Sequence, residues 1–132
     1  MTNSIAPRLP YLLLLTLLSG CATKEPPPPP PPPSPEQVRA QQTLEEGIRL
    51  YQGGHYYMAE QQFLTPEVWA GDQPIQLQSL KYLAFSYCVT QRPKQCRFAF
   101  ERALQIDPSF QLDSAEQGHP LWGPVFTQAQ GQ

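Results

Sequence analysis

Three cysteines carry most of the reactive chemistry open to this chain of 132 residues. Cys21 closes a run in which Arg8 supplies positive charge, Tyr11 to Leu18 supply an apolar stretch, and Ser19-Gly20 are small residues before the thiol. That order is the layout of a cleaved secretory signal, and the apolar stretch is too short to span a bilayer. An ordinary cleaved signal with an incidental cysteine is the plainer alternative. Cys88 and Cys96 lie on either side of Arg92-Pro93, where a hairpin of two helices would bring them face to face. An intramolecular disulfide between them is expected, provided their Cα atoms come within about 7 Å, because export would place them where disulfides persist. The alternatives are two small buried thiols or a redox pair, although reactive dithiols favour Cys-x-x-Cys at a helix start.

The remaining candidates lack catalytic spacing. His55 and His119 are the only histidines and share no face with other metal-ligand residues. Glu45-Glu46 are adjacent, so on a helix their side chains diverge by about 100° and make no working carboxylate pair. Gly53-Gly54 lacks the Lys-Ser/Thr that a phosphate loop requires. The expectation is a protein that is not an enzyme, with no metal, no cofactor and no small-molecule substrate.

Leu18-Ser19-Gly20-Cys21 resembles a bacterial lipobox. The resemblance implies cleavage before Cys21, acylation of that residue, and attachment to a membrane through the acyl chains. Ala22, in place of the Asp that retains such proteins at the inner membrane, implies the outer membrane with the domain facing the periplasm. Removal of Arg8 leaves 8 Lys+Arg against 11 Asp+Glu, a net charge of −3, which provides no basic field for nucleic acid. Of 17 prolines, nine lie in Pro26 to Pro33 plus Pro35. Such a tract takes an extended form of about 3.1 Å per residue, a stiff spacer of roughly 30 Å, or else a ligand for an SH3-like or WW-like module. The organisation is a signal at 1–20, a lipidated cysteine and spacer at 21–35, and a folded domain at 36–132.

The elements that must position the cysteine pair are helices. Ser34, Pro35 and Glu36 form a start signal, after which Leu44, Gly47, Ile48 and Tyr51 recur at helical spacing until Gly53-Gly54. A second helix is expected from about His55 to Leu64, stopping at Thr65-Pro66, with a loop through Trp69-Ala70-Gly71-Asp72. Two more follow, from about Ile75 to Thr90 and from about Pro93 to Ile106. The two hairpins match at a single offset of 37, pairing Gly47 with Ala84, Leu50 with Tyr87, Ala59 with Cys96, Phe63 with Phe100, and Pro66 with Ala103. Residues Leu77 to Phe110 resemble a tetratricopeptide repeat.

The fold class is therefore all-α: two tetratricopeptide-like hairpins with a C-terminal capping segment. Two repeats bury little core, so Leu121, Trp122, Val125 and Phe126 are expected to dock on the second hairpin as a short cap. By the same resemblance, the first helices of the hairpins would share a concave face carrying Leu44, Ile48, Tyr51, Lys81, Phe85 and Val89. That strip is either a groove for a partner peptide or helix, or a surface covered by the chain's own C-terminal segment.

Lipobox, proline spacer, helical hairpins, the Tyr87-Cys88 and Cys96-Arg97 pair, and the ending Gly118-His119-Pro120-Leu121-Trp122-Gly123-Pro124 together resemble the TssQ-type lipoproteins of type VI secretion systems. The resemblance spans most of the mature chain and implies a non-enzymatic accessory lipoprotein. Its protein partner would be a component of the secretion envelope complex. A pilotin-like lipoprotein assisting an outer-membrane secretin or pilus machine is the alternative.

Overall fold

A computed structural model describes residues 25–131; the signal segment and Cys21 lie outside them. Residues 25–34 form no helix or strand and are exposed. The rest is all helix among the described residues, in the order α1 (Pro35–Gln52), α2 (Tyr56–Phe63), α3 (Pro66–Trp69), α4 (Gln73–Val89), α5 (Pro93–Ile106), α6 (Ser114–Gln117) and α7 (Gly123–Gln130).

Local chemistry explains the boundaries. Proline stands in the first turn of α1, α3, α4, α5 and α7, where its missing N–H costs nothing. Ser34 Oγ accepts from Gln37 N at 3.1 Å, and Asp72 Oδ1 accepts from Ile75 N at 3.2 Å, capping α1 and α4. Asp113 and Glu116 form a reciprocal capping box on α6. Gly54 takes a φ of 78° in the turn to α2, a conformation that side chains disfavour.

The hairpins α1–α2 and α4–α5 pack through α2 against α4, and α7 lies against α5. Phe63 and Phe100 are fully buried, one in each hairpin. Aromatic rings connect the layers: Tyr51 meets Tyr82 at 5.3 Å, Tyr82 meets Phe85 at 5.8 Å, Phe85 meets Phe100 at 6.1 Å, and Phe100 meets Phe126 at 5.1 Å. Such edge-to-face pairs add about 0.5–1.5 kcal/mol each beyond area burial. In the first hairpin the helices approach closely at Gly47. A Cβ there would lie 2.9 Å from Cδ1 and Cζ of Phe63 and nearer still to Cε1.

The expected hairpins are present with small boundary shifts, Pro93 to Ile106 being matched at both ends. Helix α1 begins at Pro35 under the Ser34 cap, as the start signal predicts. Two details differ. The loop after Thr65 contains the short helix α3, because Thr65-Pro66-Glu67 is itself a helix-start signal. The C-terminal cap extends past Phe126 to Gln130, with Pro120 between α6 and α7 and Pro124 in the first turn of α7. Of the offset pairs, Gly47/Ala84, Ala59/Cys96 and Phe63/Phe100 are buried in both copies. Leu50 is buried where Tyr87 is half-buried, and Pro66 is exposed at the start of α3 where Ala103 is buried within α5.

Candidate docking surface

Cys88 at the end of α4 and Cys96 in the first turn of α5 are joined by a disulfide, with Cα atoms 5.2 Å apart. Both residues are buried, so an attacking thiolate would first have to open the hairpin. Between them Gln91 holds a φ of 61°, the one left-handed non-glycine among the described residues. Next to it, Arg92 reaches back to the first hairpin and engages Glu60 on α2 as a fork, Nη1 to Oε2 at 3.1 Å and Nη2 to Oε1. The guanidinium lies over the rings of Tyr57 and Tyr87, 4.9 and 4.7 Å from their centroids, and also donates to Thr90 Oγ1. The hydrogen bond to Glu60 raises the Arg92 pKa, and burial followed by the Glu60 charge raises that of Tyr87. This cluster joins the two hairpins.

The six residues expected to form a concave groove do not form one. Leu44, Lys81 and Phe85 are buried, and Ile48, Tyr51 and Val89 are half-buried against the core. The C-terminal segment covers the part of the strip formed by Lys81 and Phe85. Trp122 stacks on Phe85 with centroids 4.2 Å apart, and its indole N–H donates to the Glu116 carbonyl at 2.9 Å. Lys81 Nζ sits 2.9 Å from Glu116 Oε1 and 3.6 Å from Asp113 Oδ2, and lies 5.3 and 5.9 Å from the ring centroids of Tyr82 and Phe85. Burial, with smaller contributions from Tyr56, Tyr82 and Glu116, pushes the Tyr51 phenol up to about 12.

The capping residues divide. Trp122 and Phe126 are buried and Val125 is half-buried, but Leu121 is 49 % exposed and does not cap. The turn before α7 explains this: Leu121 N donates to His119 Nδ1 at 3.2 Å while the His119 ring lies flat on Trp122, centroids 3.3 Å apart. That arrangement closes the turn inward on Trp122 and directs Leu121 to solvent.

An open apolar groove of about 240 Å³ lies elsewhere, where α2, α3, α4 and α5 meet. Leu80, Leu83 and Ala99 form its floor, Trp69 and Tyr87 its walls, and Leu64, Phe98 and Arg102 its rim. Phe98 is 62 % and Leu64 54 % exposed, a high cost in wetted apolar surface for a domain this small. The space suits one or two side chains and falls below the usual size of a small-molecule pocket. The sequence reading missed it, although Lys94, Phe98 and Arg102 recur every four residues on one face of α5.

Chemical constellations are absent at these sites. Among the described residues no three His, Cys, Asp or Glu side chains gather to hold a metal ion. His55 is exposed at the start of α2 and makes no capping bond, while Glu45 and Glu46 engage Gln41 and Arg49 separately. No helix among the described residues is long and apolar enough to cross a membrane. No family model, curated protein or solved structure matches the chain.

Proposed function

We propose that this chain is a lipid-anchored periplasmic adaptor that docks a protein partner in the groove between α2 and α5, and that it serves a type VI secretion envelope as an accessory component. In this reading Cys21 carries the acyl chains in the outer membrane, and the proline tract from Pro26 to Pro35 sets the reach of the helical domain. The two hairpins act as a tetratricopeptide-like scaffold. The observation that carries the proposal is the open groove rimmed by the exposed side chains of Leu64 and Phe98. A cleaved signal, a lipobox and a disulfide fit the same compartment.

The test combines fractionation with crosslinking in cells. Cys21→Ser should abolish acyl labelling and remove the protein from the outer-membrane fraction. A photoreactive residue at position 98 should crosslink to a secretion envelope protein, whereas one at position 85 should not. Persistent acyl labelling of Cys21→Ser would overturn the anchor, and crosslinks confined to position 85 would overturn the assigned surface.

A further inference from the structure

The ridge of α5 that gives the groove its Phe98 and Arg102 continues to Lys94 beyond the lining, and its charge pattern narrows what can dock there. Lys94, Phe98 and Arg102 form one ridge of α5, spaced i, i+4 and i+8, with the exposed phenyl ring at the centre and a cation on each side. The ion pairs among the described residues join Arg49 to Glu46, Lys81 to Asp113 and Glu116, Arg92 to Glu60, and Arg97 to Glu101. Lys94 and Arg102 enter none of them. Arg102 donates only to the neutral Gln105 side chain, Nη1 to Oε1 at 2.7 Å. Two unpaired cations therefore flank an exposed aromatic ring on a chain whose mature net charge is −3.

We propose that the occupant is an acidic amphipathic helix of a partner protein. One large apolar side chain would enter the groove against Leu64 and Phe98, and a carboxylate on each side would meet Lys94 and Arg102. The cations stand about 12 Å apart along α5 at 1.5 Å per residue, so the matching carboxylates lie about two helical turns apart. Arg102 offers a carboxylate a planar fork of donors once it releases Gln105, and Lys94 offers a point charge. The concavity favours an inserted side chain over a flat lipid surface. This inference rests on the docking reading above and gives the partner its chemistry.

The test uses the full chain in phosphatidylcholine nanodiscs, panned against a displayed library of random peptides. Enrichment of a large apolar residue flanked by Asp or Glu is the expected result, with binding of the synthetic peptides shifting the fluorescence of half-buried Trp69 and weakening as salt rises. Phe98→Asp should weaken binding about tenfold or more. The double variant Lys94→Glu, Arg102→Glu alters only exposed positions and should instead select Lys- or Arg-flanked peptides. Enriched peptides without acids, peptides that bind Phe98→Asp equally well, or no enrichment at all would overturn the inference. So would a Trp69 shift on exchanging phosphatidylcholine for phosphatidylglycerol that Phe98→Asp abolishes, because the occupant would then be a membrane. Crosslinks from position 98 in cells, with acid-free peptides from the library, would leave the adaptor reading standing and remove only the acidic partner.

Discussion

Phe85 and Trp122, 37 positions apart in the chain, stack at 4.2 Å with ring planes 25° from parallel. This contact ties the C-terminal segment to α4 and covers part of the strip that the repeat pattern would leave open. Trp122→Ala should destabilise the domain by about 3 to 5 kcal/mol, a large share of the 5 to 15 kcal/mol typical of a whole domain. The expected outcome is a strongly lowered melting temperature or an aggregated protein, followed by circular dichroism. An unchanged melting temperature would show that the segment contributes little to the core.

The α4–α5 hairpin should depend on its crosslink. Joining Cys88 to Cys96 removes loop entropy from the unfolded chain by about 2 to 3 kcal/mol at this short spacing. Non-reduced protein should have the mass of the oxidised pair, and the Cys88→Ala, Cys96→Ala variant should melt at lower temperature with its helix content retained. Free thiols on alkylation of the native protein would contradict this.

Arg92 and Glu60 should show strong coupling. Removing either side chain leaves the other partly buried and unpaired, at a cost of about 1 to 3 kcal/mol, with a coupling energy of similar size in a double-mutant cycle. Arg92→Lys should recover little, because a single ammonium cannot form the fork to Glu60 while lying flat between Tyr57 and Tyr87. Full recovery by lysine would reduce the cluster to simple charge attraction.

Alkaline stability should report on Tyr51. Its phenol titrates near 10 in the unfolded chain and near 12 when folded, so the folded state keeps a proton that the unfolded state has lost. The contribution is full below pH 10 and falls away as the pH rises through 12. The partial exposure of the ring reduces its size. Denaturant melts from pH 8 to 11 should lose stability more steeply in the wild type than in Tyr51→Phe, and equal slopes would place the titrating group elsewhere.

Two helix starts were legible because serine and proline act locally: Ser34-Pro35 and Arg92-Pro93 each mark a first turn without help from the rest of the fold, whereas α4 begins at Gln73 under an Asp72 cap, two residues before the expected Ile75. The covering of the strip was less legible, since periodicity shows which residues turn away from their own hairpin partner but not which distant segment comes to meet them. One signal was present. Leu83, Ala84 and Phe85 are consecutive apolar residues, a pattern of a helix buried on every side, and the structure buries all three. Lys81 concealed that signal, because a lysine on a helix normally marks the wet face, and its partner Glu116 lies 35 residues away. The Leu64 and Phe98 groove escaped notice because its rim residues come from α2's C-terminal end and from α5, neighbours only after the hairpins pack.

The closeness of Gly47 to Phe63 binds two positions into a single heritable choice. Any mutation that adds even a methyl at 47 collides with the ring, so such a change could spread through descendants of this sequence only after position 63 had lost bulk. In the second hairpin Ala84 and Phe100 are both fully buried, so that hairpin accommodates a methyl at its own crossing together with a phenyl ring. Drift should accordingly be slower at 47 than at 84, and exchanges at 47 should occur beside a smaller residue at 63.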